Sequence, residues 1–226
     1  MTWRELNIDL RRSARKKTLH IIVERDGTLS VQAPQDTPEE KIRALLDARE
    51  YVIRKKLALW KESNKERIER PYVAGQSFQY LGRNYNLSIV EEQKEPLLFK
   101  DGKFLLLASV KNPRETFMRF FKRQARVKIA ERIAFYKPHL PVQPQKVQIR
   151  DMLLRWGSCT PSGNIYYNWR CVMAPLFVLD YLILHELIHL RHPDHSRDFW
   201  QALSTFLPDY ESAQNYLRRN GIRLTL

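Results

Sequence analysis

The 226-residue sequence has only two cysteines, Cys159 and Cys171, and they do not form a CxxC pair. Two thiols cannot supply the several disulfide bridges that stabilise small secreted domains. Cytosolic proteins, in contrast, keep their few thiols reduced. The scarcity of cysteine therefore predicts a location in the reducing cytoplasm.

Long apolar runs are missing as well. No stretch of the sequence reaches the roughly 18 consecutive apolar residues of a membrane-spanning helix. The first twenty residues contain six Lys and Arg residues and no apolar segment of the kind found in secretory signals. We expect neither a membrane span nor a secretory signal. With 43% hydrophobic residues, the chain can still bury one large core or two small ones.

Acidic residues are outnumbered by basic ones, 25 against 39, which gives a net charge of +14. Basic proteins attract polyanions without any special site, so nucleic acid and nucleotides are candidate partners. Arg119, Arg123 and Arg126 follow one stripe of a predicted helix and could bind phosphates. A row of charges on a helix is more often a solvated face, so charge alone does not select the partner.

The N-terminal half combines strand-like and helical patterns. Residues 16–34 predict a hairpin, because Asp26-Gly27 separates two β-branched runs. Residues 36–62 predict one long amphipathic helix from apolar positions at helical spacing. Strands are expected within residues 77–92 and 103–110.

The C-terminal half begins with a helix predicted over residues 113–137 and continues through a proline-rich connector. Residues 146–171 predict a strand, a turn and a second strand. A further helix is expected from residue 174 to about His192, where Pro193 should end it. We therefore expect an α+β fold with two domains: an N-terminal α+β domain (residues 1–110) and a C-terminal domain (residues 111–226).

The segment "LDYLILHELIHLRHPDH" carries the most specific pattern. Its helix is apolar on nearly every side, yet His185, Glu186 and His189 form one polar stripe. Burying two imidazoles and a carboxylate costs several kcal/mol unless a partner compensates for the lost hydration. This HExxH pattern suits Zn²⁺, with both histidines as ligands and the glutamate free as a base. The alternative is a pair of hydrogen-bonded core histidines and a salt-bridged glutamate.

The third metal ligand has more than one candidate. His192 shares the face of His185 but lies a turn further along the axis, and it would point past a metal held by the first two histidines. His195 follows the turn at Pro193, and HExxH, five residues and a histidine is a spacing that closes three-histidine sites. Glu211 is the alternative, because other HExxH enzymes take a glutamate from a later helix.

The "RWGSC" segment is a second candidate for the site. Arg155 could stabilise a developing oxyanion or bind a substrate carbonyl, and Tyr166 or Tyr167 could donate a hydrogen bond. The alternative makes Arg155 a structural ion pair and Gly157 a turn residue.

Three segments together, "RWGSCTPSGNIYYNWR", "LDYLILHELIHL" and "HSRDFW", resemble the YgjP-like metallopeptidase family, which is related to SprT-like proteins. The N-terminal segments "RRSARKKTLHIIVERDGTLSVQAP" and "GQSFQYLGRNYNLSIVE" are similar to the same family. The resemblance implies a zincin-like core, with a small sheet over the HExxH helix, and His185, His189 and His195 as zinc ligands.

The predicted function is a zinc-dependent metallopeptidase in which a metal-activated water attacks the peptide bond and Glu186 is the general base. Its expected partner is a peptide or protein substrate. Two alternatives stay open. The same centre could hydrolyse a nucleoside triphosphate such as UTP, or the chain could be a nucleic-acid-binding module with a structural zinc.

Overall fold

The computed structural model of the chain describes residues 1–14, 18–23, 28–65, 71–140, 142–152 and 155–226. Its contacts separate two compact units, Met1–Ile68 and Glu69–Leu226. The described parts contain six α-helices and three small sheets, so the expected α+β class is confirmed. No helix among them is both long and apolar enough to cross a membrane.

The first unit is a four-stranded sheet with two helices. Its strands are β1 (Thr2–Trp3), β2 (Leu6–Ser13), β3 (His20–Val23) and β4 (Leu29–Pro34), in the order β1-β2-β4-β3. Strands β3 and β4 pair antiparallel, as the predicted hairpin requires, whereas β2 and β4 are parallel. The predicted turn at Asp26-Gly27 lies outside the described residues.

The helical pattern of residues 36–62 forms two helices, α1 (Glu39–Ala48) and α2 (Glu50–Lys65), so the prediction of one long helix is wrong. The break is at Arg49, whose φ of −111° and ψ of 8° are not helical. Its N–H donates to the carbonyls of both Leu45 and Leu46. The apolar spacing continues across the break, which is why the sequence pattern does not reveal it.

The second unit begins with a sheet of four strands, β5 (Ser77–Tyr80), β6 (Arg83–Val90), β7 (Leu97–Lys100) and β8 (Lys103–Leu107), in the order β5-β6-β8-β7. Helix α3 (Pro113–Tyr136) packs on this sheet. It begins at the Asn112 cap, whose side chain accepts from the Glu115 N–H at 3.1 Å.

The contacts divide the chain near residue 68, whereas the sequence predicts a boundary near residue 110. Phe78 of β5 lies 4.3 Å from Phe117 of α3 between ring centroids. Phe121 of the same helix lies 6.0 Å from Trp169, which follows the last strand. One continuous apolar core therefore joins the strands before residue 110 to the C-terminal elements.

The remaining elements surround one buried helix. Strands β9 (Lys146–Arg150), β10 (Gly157–Cys159) and β11 (Asn164–Asn168) form a sheet in the order β10-β11-β9. A 3₁₀ turn (Trp169–Met173) leads into α4 (Leu176–Ile188), which is followed by α5 (Arg197–Phe206) and α6 (Tyr210–Asn220). Helix α4 is buried at ten of its thirteen positions, which agrees with its apolar sequence.

Helix α4 is fixed to its neighbours by polar contacts as well as by packing. Arg132 of α3 donates two hydrogen bonds to the Asp180 carboxylate, at 2.6 and 2.9 Å. The side chains of this pair are only 20% and 10% exposed. Tyr167 of β11 donates to the Ile183 carbonyl at 3.0 Å. Both contacts lie within two turns of His185 and thus set the position of the helix that carries it.

Replacing Asp180 with Ala is expected to lower the free energy of unfolding by about 3 kcal/mol, because it leaves the half-buried Arg132 guanidinium without its partner. Urea unfolding measures the loss. Arg119→Ala is the matched control, since its exposed pair with Glu115 should contribute less than about 1 kcal/mol. Equal losses in the two variants would contradict the proposed role of the buried pair.

Candidate metal centre

The last turn of α4 and its C-cap bring two imidazoles together. His185 lies inside the helix and His189 caps it, four residues later and one turn further along the same face. Their Nε2 atoms are 3.2 Å apart. The HExxH spacing therefore places two nitrogen donors side by side.

His195 completes a cluster of three. After α4 the chain turns back at Pro193, and the Nε2 of His195 lies 3.0 Å from that of His185. Two donors on one tetrahedral zinc, each about 2.05 Å from the ion, are separated by roughly 3.3 Å. The two separations from His185 are close to this value, and all three donor atoms lie within 4.8 Å of one another, so the three imidazoles could hold a single metal ion.

The turn after α4 also orients His189. Helix α4 ends at Ile188, four residues before the predicted end at His192, and residues 189–191 continue as tighter turns. This directs the His192 carbonyl to the Nδ1 of His189 at 2.9 Å. A carbonyl only accepts, so Nδ1 carries the proton and Nε2 keeps its lone pair for a metal. His192 contributes its backbone to the site.

Among the described residues, His185, His189 and His195 form the one group of His, Cys, Asp or Glu side chains that could hold a metal ion. Their donor atoms lie within 4.8 Å of one another. Glu211, at the start of α6, and the side chain of His192 are not in this group. The geometry thus favours His195 over Glu211 as the third donor.

Burial and the short distances between the rings lower the pKa of two of the imidazoles. The pKa of His185 falls to about 3, mainly because burial disfavours the charged ring and further because His189 and His195 are so near. Burial also lowers the pKa of His195. An uncharged imidazole is the form that binds a metal, so the environment of His185 keeps it ready to do so.

Aromatic rings surround the cluster on the side of α5. Phe199 is fully buried and contacts all three imidazoles, with centroid distances of 5.0, 4.5 and 4.8 Å. The next residue, Trp200, stacks on His195 at 5.5 Å and 27°. A helical period in the sequence does not report which partner a ring meets, so these contacts are known only from the structure.

The side chain of Glu186 lies against strand β10. It is 5% exposed, and burial raises its pKa to about 7, with Arg155 and the Cys159 backbone opposing the shift. Within the described parts of the chain it forms no ion pair. A carboxylate this buried and unpaired suits proton transfer near neutral pH.

Gly157 lies directly against this carboxylate. A Cβ at this position would lie 2.6 Å from Glu186 Cγ and 2.7 Å from Cδ, far inside normal contact. Sequence reasoning predicted a turn residue here, and the structure places Gly157 in strand β10 instead. A glycine within a strand often marks a close approach of this kind, and that was the signal available in the sequence.

A cavity of about 540 Å³ opens over the three histidines and Glu186. Strand β10 and the turn after it form one wall, and Leu190 and Pro193 line the opposite part. Arg155 also lines the cavity and is exposed there. Tyr167 is fully buried with its hydroxyl on Ile183, and Tyr166 packs under the Arg150 guanidinium at 3.7 Å. The predicted donor role therefore fits neither tyrosine.

The comparisons with known proteins identify the family. No curated protein and no solved structure matches the chain significantly. The sequence model of the YgjP-like metallopeptidase domain matches residues 17–220, which include both segments that form the cavity. This match covers most of the chain and agrees with the resemblance of its motifs. The chain therefore belongs to the YgjP-like metallopeptidase family.

Proposed function

We propose that this chain is a zinc-dependent peptidase in which His185, His189 and His195 hold the ion and Glu186 is the general base. Membership of the family supports a metal-dependent peptidase acting on peptide or protein substrates. The observation that carries the finer assignment is the convergence of three Nε2 atoms beside a buried carboxylate at an open cavity. Three nitrogen donors with space for a further ligand are typical of catalytic zinc.

In the proposed reaction the metal ion is the Lewis acid, and side chains of the protein transfer the proton and bind the substrate. A bound divalent cation supplies a Lewis acid, which polarises the scissile carbonyl and makes water more acidic. Glu186 accepts the proton of the attacking water and delivers it to the leaving amine. Arg155 is suited to bind the substrate carbonyl or the oxyanion, because it is the cation that lines the cavity.

The architecture around α4 supports a zincin-like core. The small sheet β10-β11-β9 lies beside the HExxH helix, with its edge strand β10 next to Glu186. Each histidine comes from a different local setting, since His185 is within α4, His189 caps it and His195 follows the turn. A rigid buried helix thus supplies two donors, and the returning chain supplies the third.

The surface charge gives less support to a nucleotide or nucleic-acid function. Arg119 pairs with Glu115 at 3.1 Å and Arg123 with Glu95 at 2.9 Å. Two of the three arginines on the predicted stripe therefore already have carboxylate partners. Peptide hydrolysis is therefore the proposed function, and UTP and DNA are included in the assay that tests it.

Glu186→Gln is expected to lower peptide hydrolysis by about 10²–10⁴-fold while the bound metal stays at the wild-type level, because glutamine cannot accept the proton and Glu186 is not a metal donor. Metal content is measured first. Amine release from an unfolded protein, with and without DNA, and phosphate or pyrophosphate release from UTP are then compared. Loss of UTP hydrolysis alone would identify a phosphohydrolase, and near-normal peptide hydrolysis would show that Glu186 is not the base.

Gly157→Ala is expected to lower turnover about 100-fold without releasing the metal, because the added methyl group displaces the Glu186 carboxylate from its position. The measurement is kcat at saturating substrate together with metal content. Gly102→Ala is the control. Gly102 has a φ of +69°, so an added Cβ strains the turn, but among the described residues no atom beyond its chain neighbours lies within 4 Å of that Cβ. This variant therefore tests the effect of reduced stability alone. Equal rates in the two variants would contradict the contact.

Activity is expected to fall as the pH decreases through the pKa of Glu186, because only the ionised carboxylate accepts a proton. Burial raises this pKa to about 7. A bound cation favours the carboxylate and should move the midpoint lower. The test is the pH profile of kcat/KM, with metal content measured at each pH. A rate that stays constant down to about pH 5 with the metal still bound would contradict a base whose pKa burial keeps above the ordinary glutamate value of about 4.3.

A further inference from the structure

His195 is the least constrained of the three donors. It lies beyond the end of α4 and its side chain is exposed, whereas His185 and His189 are half-buried on the helix. His189 has a carbonyl on its Nδ1. In the described parts of the chain, the Nδ1 of His195 has no such hydrogen-bond partner. Something other than a hydrogen bond must keep this imidazole in place.

An aromatic stack supports His195 instead. The indole of Trp200 lies 5.5 Å from the imidazole at an interplanar angle of 27°. Trp200 also stacks on Tyr210 of α6, at 5.2 Å and 20°. Near-parallel rings at these distances attract one another beyond the effect of burial. The three rings therefore form a continuous stack from α6 to the exposed donor.

Trp200 lies at the edge of the apolar core. Its neighbour Phe199 is fully buried and fills the space beneath the three imidazoles, whereas Trp200 remains partly exposed. Residues in succession on a helix point about 100° apart. The two adjacent aromatic residues of α5 therefore face different partners. Phe199 packs in the core, and Trp200 packs against His195.

We propose that Trp200, with Tyr210 behind it, is a positioning residue that holds His195 in place as the third metal donor. This inference rests on the proposed metal centre. Residues that orient a metal ligand typically contribute 10–100-fold to affinity when their contact is a hydrogen bond. Here the orienting contact is a stacked ring, which restricts the plane of the imidazole while leaving its Nε2 free.

The test is metal affinity, measured by competition of Zn²⁺ with a chelating dye, and the visible absorption of the Co²⁺-loaded protein. Trp200→Ala is expected to weaken Zn²⁺ binding about 10–100-fold. It should also change the Co²⁺ spectrum, because one nitrogen donor is no longer held. Trp200→Phe keeps a stacking ring and should recover most of the affinity. Tyr210→Leu leaves Trp200 in place and should have an effect of the same sign but smaller.

Tyr216→Leu is the matched control for Tyr210→Leu. Both residues are on α6, but Tyr216 packs edge-on against Phe177 at 6.0 Å and belongs to no stack with His195. Its removal should leave affinity within about twofold of wild type. If Trp200→Ala does not fold, the comparison of Tyr210→Leu with Tyr216→Leu decides the question in its place.

The outcomes separate this inference from the function on which it rests. Wild-type protein that binds no metal would overturn the metal centre and the role of Trp200 together. Wild-type binding with unchanged affinity and Co²⁺ spectrum in Trp200→Ala would overturn the role of Trp200 alone. An equal loss in Tyr216→Leu and Tyr210→Leu would also overturn it, because a general loss of stability would then account for both.

Discussion

The Nε2 of His185 lies 3.2 Å from that of His189 and 3.0 Å from that of His195, and lone pairs this close repel unless a proton or a cation lies between them. A proton is disfavoured at His185, because burial opposes the charged ring and the nearby His189 and His195 lower its pKa further. A divalent cation removes this conflict, since it accepts all three lone pairs at once. Three kinds of contact keep the histidines in place. The ion pair between Arg132 and Asp180 fixes helix α4, the His192 carbonyl orients His189, and the aromatic rings of α5 pack against the imidazoles.

Glu186 is a second ionisable group whose charge is disfavoured by burial. The carboxylate is buried against the backbone of β10, so its charge is disfavoured and its pKa rises to about 7. Only a residue without a side chain can lie at position 157 under these conditions. The strand therefore forms a wall of the cavity and also fixes the position of the Glu186 carboxylate.

The large positive charge has little to do with this centre. Arg119 and Arg123 are exposed and already paired with Glu115 and Glu95. Arg155 is the exception because it faces the cavity and acts on the charge of Glu186. The cavity thus has one lining arginine beside the three histidines and Glu186, and the net charge of +14 comes mainly from residues elsewhere.

Local pattern in the sequence determined much of this protein. An apolar helix with polar residues four apart predicts His185 and His189 on one face, and the motif spacing favours His195 while leaving Glu211 as the alternative. Periodicity describes a single element, so it does not report what that element meets. The break at Arg49, the end of α4 at Ile188 and the division near residue 68 depend on contacts or backbone angles that leave no periodic trace. Only the tertiary structure placed Gly157 against Glu186, because that pair joins a strand to a helix that is distant in sequence, and only the path of the segment between α4 and α5 placed His195 against Trp200.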